Sequence, residues 1–310
     1  MQYYQKNIAL GSEVEISLVG DLDKADMGRL FASLWRRIYR FERQFSRFLP
    51  ASELSGFNRN AGLKQYISPQ FKAILAAARD LALATKGLYN PFILPALQAA
   101  GYDHSLVKGY ENDPQDDHSH KKVVAAQKLE IGDSWARIPY GTALDLGGCG
   151  KGYLADRLAD YLAGKVRGYW LSLGGDVVAG GCDDTGQPWE IHIQKAGDPK
   201  RNIGRVLVPL GGRLAAASSG TLQRRGKKNG QPWHHIIDPR TLAPAKTDIQ
   251  LVTVAASSAL KADVLASCAV IVGSRAGLSF LTEQVEAAAI QYKRQQTELY
   301  EHFGNLIRLD

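Results

Sequence analysis

Apolar and polar positions alternate along "NIALGSEVEISLVG", residues 7–20, and predict a strand; Gly11-Ser12 interrupts it, as a bulge or a close backbone approach would. The period then lengthens. Leu34, Ile38, Phe41, Phe45 and Phe48 recur at helical spacing within a helix expected from about Lys24 to Phe48, while Arg36, Arg37, Arg40, Arg43 and Arg47 lie largely off that stripe. After a loop, "LPASELSGFNRNAG", a second helix is expected over "SPQFKAILAAARDLALATKG", with Ser68-Pro69 as N-cap and first-turn pair. "LYNPFILPALQAAGYD" reads as a Pro-punctuated loop, and residues 111–122 as a polar, exposed excursion. His104, His118 and His120 there admit a metal site, but solvated histidines are the simpler reading of so polar a stretch.

The second half is rich in strands: "KLEIG", "ARIPYGTALDLGG", "GYWLSLGGDVVAGG", "WEIHIQKA", "GRVLVPLGGRLAAASSG", "QPWHHIIDPRT" and "IQLVTVAAS". Glycine pairs and prolines separate them, as antiparallel hairpins require. Two helices break the run, residues 152–163 and about 259–272. Helices packed on antiparallel sheets predict an α+β fold, and no fixed-period repeat stands out.

The chain has 310 residues, 45% hydrophobic and 22% charged, enough for one large domain or two closely packed lobes. Its first residues lack a basic segment followed by a long apolar run, and no later stretch is apolar for long enough to span a bilayer. As written, it is expected in the cytoplasm; a trimmed anchor would leave no trace in it. Cys149, Cys182 and Cys268 make no closed disulfide set and no zinc-ligand spacing, which suits a reducing compartment. The net charge of +7 invites a nucleic-acid reading, but the aromatics of "WRRIYRFERQFSRF" belong to a buried stripe. A polyanionic small ligand suits the same charge.

Several stretches can carry chemistry. "DLGGCGKGY", residues 145–153, resembles a phosphate loop but has Asp145 where the first Gly of G-x-x-x-x-G-K-[ST] belongs and Gly152 where the hydroxyl belongs. What remains is either a tight turn before a helix or an anion site of backbone N–H groups at a helix start. In "SSALKADVLASCAVIVG", Asp263 and Ser267 are one helical turn apart on one face. Such oxygen ligands, with backbone carbonyls and waters, suit Mg²⁺ on a phosphorylated ligand; the plain alternative is an Asp near the helix start and a Ser bonded to the turn above. "HHIIDPRT" offers two imidazoles that cannot both face one side of a strand. "AAASSGT" adds two hydroxyls at a strand end, and "SLGGDVV" places Asp176 after a flexible pair.

Taken in order, "FSRFLPASELSGFN", "DLGGCGKGYLAD", "LGGDVVAGG", "AAASSGT", "HHIIDPRT" and "KADVLAS" closely resemble the ApbE family of FAD:protein FMN transferases, over nearly the whole chain. The resemblance implies an ApbE-like, T-fold-related α+β domain spanning residues 1–310, with FAD as substrate and Mg²⁺ as metal. It also implies transfer of the FMN half to a Thr or Ser hydroxyl of an acceptor flavoprotein, leaving AMP. Carried over residue by residue, Asp145 and Lys151 would contact FAD, and the Gly148 carbonyl, Asp263, Ser267 and an Ala266 carbonyl would hold the metal. Leu10, Phe48, Leu88, Tyr89, Asn90 and Ser218 would line the FAD pocket, and His235, not His234, matches the active-site histidine. His235 or Asp176 would take the acceptor proton.

The chain departs from the family pattern at Asn90 (usually Asp), Leu242 (usually Gly), Ser172 (often Asn), Ser218 and Ser267 (often Thr) and Cys149 (usually small and apolar). No metal carboxylate or motif lysine is lost, so an active enzyme is expected. Its expected partners are FAD and the acceptor flavoprotein rather than nucleic acid, with no membrane segment. Two further readings use the same motifs: an FAD pyrophosphatase with water as nucleophile, and a flavin-binding protein without turnover.

Overall fold

A computed structural model describes residues 1–103, 120–282, 284–294, 296–301 and 306–309. His104 and His118 lie outside the described residues, and His120 is an exposed turn residue. The fold is α+β and its sheets are antiparallel. The chain divides into two compact units, Met1–Arg40 with Lys151–Leu222 and Thr247–Asp310, and Phe41–Gly150 with Gln223–Lys246.

The first unit is built on an eight-stranded sheet in the order Gln2–Ala9, Ser12–Val19, Gly168–Leu173, Asp176–Gly181, Arg213–Gly220, Ile249–Ala256, Ala287–Tyr292, Thr297–Glu301. Strand alternation gives the central strands two buried faces. Val177, Ala179, Leu214, Ala216, Ala255, Ala287 and Ala289 pack against Ile191, Ile193 and Val206 of a second, three-stranded sheet and Val208 just beyond it. The opposite face, with Ala215, Ala217, Val252 and Val254, is covered by the helix Ala259–Val272. That helix is apolar nearly all round, as a helix buried on all sides must be.

Two glycine turns shape one end of this sheet. The expected single strand over residues 7–20 is instead a hairpin: Gln2–Ala9 pairs with Ser12–Val19, and Leu10 and Gly11 form its tip with φ of 56° and 64°. Two residues in the left-handed region match the twist of a tight hairpin, although a leucine there costs about 1 kcal/mol. Gly174 and Gly175, φ 68° and 95°, turn Gly168–Leu173 into Asp176–Gly181 at the same end, since Val14 pairs with Leu173.

The second unit has its own core. Phe45 meets Phe71 and Phe41, and Phe57 meets Phe71, at ring centroid distances of 4.8 to 5.4 Å. The first long helix is Lys24–Phe45, three residues shorter than expected at its C-terminus. Pro69–Ala84 follows, capped by Ser68 as expected. Two expected loops contain helices. Glu53–Arg59 is started by the Ser52 side chain, which accepts from the Ser55 N–H, and it holds a helix despite Gly56, a poor helix former, inside it. Leu94–Ala100 tolerates Pro95 in its first turn and ends on Gly101 at φ 117°, so proline there opens a helix rather than breaking one. Beside it, Arg225–Lys228 and Gln231–His234 form a two-stranded hairpin. Among the described residues no helix is long and apolar enough to cross a membrane.

Candidate active site

The expected site residues fall on both units. In the first unit, Asp263 is buried on the helix Ala259–Val272, and Ser267 follows one turn later on the same face. The Ser267 hydroxyl lies 2.8 Å from that of Ser219. Ser218, the expected pocket residue, faces the other side of its strand and bonds the Thr253 hydroxyl at 2.9 Å. The period of two separates these neighbours, and Ser219 was recognisable from that period once the helix was assigned to one face. Ala266 is fully buried within the helix.

Asp176 opens its strand on the helix-covered face and forms an ion pair with Lys151, with Asp176 3% and Lys151 15% exposed at the side chain. The pair lies at the sheet end formed by the two glycine turns. A Cβ on Gly174 would stand 2.6 Å from the Ser12 hydroxyl and 3.5 Å from the Lys151 chain, so the turn, the hairpin after Leu10 and the lysine are closely packed. Lys151, Asp176, Ser219, Asp263 and Ser267 thus give the first unit one ammonium, two carboxylates and two hydroxyls on one side of its sheet.

What holds the Asp263 helix is another carboxylate, Asp156, which sequence reasoning did not single out. The helix Gly150–Leu162 carries it to the start of Ala259–Val272, where it accepts from the N–H groups of Ala259 (2.9 Å) and Leu260 (3.0 Å) and from the Ser258 hydroxyl (2.7 Å). Unpaired N–H groups at a helix start favour such a charge. Arg213 completes the clamp, 2.5 Å from Asp156 and 2.8 Å from Asp160. Burial works against the Arg213 cation, but the two carboxylates outweigh it and its pKa lies above the ordinary value. The helices touch at Gly152, where a Cβ would come within 2.6 Å of the Ala259 carbonyl oxygen and 2.7 Å of the Leu260 Cα.

In the second unit, the glycine-rich turn is closed by its own carboxylate. Asp145 accepts from the Gly147 N–H at 2.5 Å, and the Gly150 N–H reaches the Leu146 carbonyl at 2.7 Å, so Gly150–Leu162 begins two residues earlier than expected. Gly147 and Gly148 are exposed, and a Cβ on Gly148 would lie 3.5 Å from the Tyr89 ring. Asn90 is buried: its side-chain oxygen accepts from Phe92 N–H at 3.0 Å, and its amide donates to the Val124 carbonyl at 2.9 Å. A carboxylate could not make the second bond, which accounts for Asn where the family pattern has Asp. Leu88 is half-buried one residue before Tyr89.

Arg47 ties this turn to an aromatic cluster. Its guanidinium lies 3.4 Å from Asp145, donates to the Tyr102 carbonyl at 2.9 Å, and covers the rings of Phe48 and Tyr102 at 4.1 and 4.7 Å. Tyr102 stacks on Trp233 at 5.9 Å and meets the His235 ring edge-on at 6.4 Å. His235 follows the last strand residue, so strand alternation alone does not aim it; its N–H donates to the Arg224 carbonyl at 3.1 Å. His234 instead turns a ring nitrogen to the Ala245 carbonyl at 3.2 Å. The following turn is held by Asp238, which grips the Arg240 side chain at 2.8 and 2.9 Å. Burial pushes the Asp238 carboxyl up, but the Arg240 bonds prevail and hold it below its ordinary pKa. In that turn Leu242 adopts φ 57°, the conformation for which glycine is the unstrained choice.

The sequence profile of the ApbE family matches residues 10–290. The chain belongs to the ApbE family. It is 25% identical over 281 residues to the FAD:protein FMN transferase of Vibrio cholerae, covering 90% of this chain and 84% of that protein. With the enzyme of the same name from Salmonella typhimurium it shares 26% over 262 residues, 82% of this chain and 74% of that one. Among solved structures, the ApbE protein of Thermotoga maritima superposes with a TM-score of 0.81 at 21% identity, over 96% of both chains. The apo flavinyl transferase ApbE of Pseudomonas stutzeri does so with a TM-score of 0.80 at 22% identity, over 98% of this chain and 95% of that one. The glycine-rich turn, the Asp263 helix and His235 all lie within the matched span.

Proposed function

We propose that this ApbE-family protein is an Mg²⁺-dependent transferase that moves the FMN half of FAD onto a Thr or Ser hydroxyl of an acceptor flavoprotein and releases AMP. The observation that carries the reading is the buried Asp263 carboxylate with the half-buried Ser267 hydroxyl one turn later, on a helix clamped at its start by Asp156. The relatives' shared name, FAD:protein FMN transferase, supports the substrate and the transfer.

The donor set fits a hard divalent cation: a carboxylate, hydroxyls and carbonyls, with no thiolate or imidazole in it. Among the described residues no three His, Cys, Asp or Glu side chains cluster, so such a cation would rely on waters and substrate oxygens for its remaining ligands, as Mg²⁺ does. Asp263 and Ser267 would hold it with the Ala266 carbonyl. When bound, it neutralises pyrophosphate charge as the P–O bond to AMP breaks.

Lys151 supplies a cation for the pyrophosphate, kept in place by Asp176. Asp145 would contact FAD next to the turn it closes, with Phe48, Leu88, Tyr89 and Asn90 of the same unit; Ser218, turned to the other side of its strand, is not one of them. The acceptor oxygen attacks the FMN phosphorus, its proton passing to His235 or Asp176, and AMP leaves with the bridging oxygen. The pyrophosphatase alternative differs only in using water.

The test is Asp263→Asn, which keeps size and removes charge. Mg²⁺-dependent FAD turnover should fall by about a hundredfold or more, with a thermal midpoint close to wild type. Undiminished turnover in the variant, together with indifference to EDTA, would remove the metal site from the reading.

A further inference from the structure

We propose that the hairpin Arg225–Lys228/Gln231–His234 is a docking strip for an acidic, extended segment of the acceptor protein, an inference that rests on the transferase reading above. The charge distribution points to it. Residues 223–246 hold six Lys or Arg against one carboxylate, Asp238, and so carry five of the chain's seven net positive charges. Asp238 is committed to Arg240. Among the described residues no carboxylate lies within salt-bridge distance of Arg224, Arg225, Lys227 or Lys228.

The hairpin sorts these cations by face. Gly226 pairs with Trp233, and Lys228 donates to the Gln98 and Ala99 carbonyls at 3.2 and 3.0 Å, closing the end of the helix Leu94–Ala100. That face is structural. Arg225 and Lys227 point the other way by strand alternation and are exposed, about 7 Å apart along the strand. An extended partner presents its own alternate side chains at the same spacing, so two carboxylates at positions i and i+2 would match them. Among the described residues the hairpin is also a two-stranded sheet of its own, to whose edge a partner strand could add.

The strip leads to the chemistry. Arg224 accepts the His235 N–H, so the chain passes directly from the basic strand pair to the candidate catalytic histidine. A segment held on Arg225 and Lys227 is thereby tethered beside His235, and the tether raises the local concentration of its hydroxyl. Single-stranded nucleic acid is the poorer match, because the hairpin's large aromatic, Trp233, is 8% exposed and packed between Gly101 and Gly226, where no base can stack on it, and its His234 ring is turned to the Ala245 carbonyl.

The experiment uses the full chain with FAD and Mg²⁺ and two fluorescein-labelled, Thr-bearing peptides, one with Asp at alternate positions and a twin with Asn in their place. Anisotropy at low salt should show the acidic peptide bound about tenfold more tightly, a preference that fades as ionic strength rises to about 0.3 M. Arg225→Glu/Lys227→Glu and the milder Arg225→Gln/Lys227→Gln should both lose it while keeping the wild-type thermal midpoint. Arg36→Glu/Arg40→Glu, on exposed positions of the first helix, should retain it. Equal affinity for the twins, equal effects of the hairpin and helix variants, or tighter binding of an oligonucleotide or anionic vesicle of matched charge would each overturn the proposal. FMN gain by the Thr peptide, read separately by mass spectrometry, tells failure of the strip from failure of the transferase reading.

Discussion

Replacing Asp156 with Asn tests whether the helix Ala259–Val272, which carries the proposed metal ligands, owes its position to a charge buried at its start. Asp156 accepts from two backbone N–H groups and the Ser258 hydroxyl, and pairs with Arg213. Asn keeps one acceptor but removes the charge and turns an amide N–H₂ towards a guanidinium that also donates. Loss of the charge at a partly buried helix start costs about 1–2 kcal/mol, and loss of the charged bond to Arg213 about 1.5–3 kcal/mol. Because these terms share groups they do not add fully, and about 3 kcal/mol is the expected loss. That corresponds to a fall of roughly 6–12 °C in the thermal midpoint. Asp160→Asn is the control, since Asp160 meets the same arginine but is 45% exposed at its side chain, so its loss should cost no more than about 1 kcal/mol. Thermal unfolding of the apo proteins reads both, and isothermal titration of Mg²⁺ with FAD present reads the helix position, with weaker binding expected only for Asp156→Asn. Equal shifts for the two variants would refute the clamp.

Gly152→Ala gains helix propensity yet drives a methyl into the Ala259 carbonyl and Leu260 Cα, so it should destabilise by about 1–3 kcal/mol in chemical denaturation; a more stable variant would show that the two helices can part there without loss. His235→Ala should lower FAD turnover by about a hundredfold and His234→Ala by less than about threefold, since only His235 joins the Tyr102 cluster; equal losses in initial-rate assays would mean that the histidines share one role.

The strand period was legible wherever one face was apolar and the other polar, as in Glu190–Lys195, and the capped helices Pro69–Ala84 and Ala259–Val272 start on Ser68 and Ser258. Less regular segments hid their structure. Gly11-Ser12 looked like an interruption of a single strand because the turn itself is Leu10-Gly11: a Leu in the left-handed region is rare, and the hairpin has no Asn-Gly signature. Leu94–Ala100 was masked by Pro95, which breaks a helix anywhere but its first turn.

The same holds for the site. Asp263 and Ser267 could be paired from spacing alone, because a helix puts residues four apart on one face. Asp156 and Arg213 could not, since their meeting depends on how a strand and two helices pack, which no local spacing encodes. Arg47 sat among five arginines of similar setting in the sequence, and only the fold shows it buried between Asp145 and Tyr102. Ser218 and Ser219 are chemically alike, and the side of the sheet taken by the helix distinguishes them.

The most direct test of the transfer reaction is a balance of its products. Full-length protein, FAD, Mg²⁺ and a flavin-carrier domain bearing an acceptor Thr are incubated together, with acceptor mass and released AMP followed in the same samples. The account predicts one FMN added per acceptor, AMP formed one for one with it, and neither product when the acceptor Thr is changed to Ala or when EDTA is present. Free FMN and AMP appearing at the same rate with and without acceptor, with no acceptor ever gaining mass, would contradict it and make the protein an FAD pyrophosphatase.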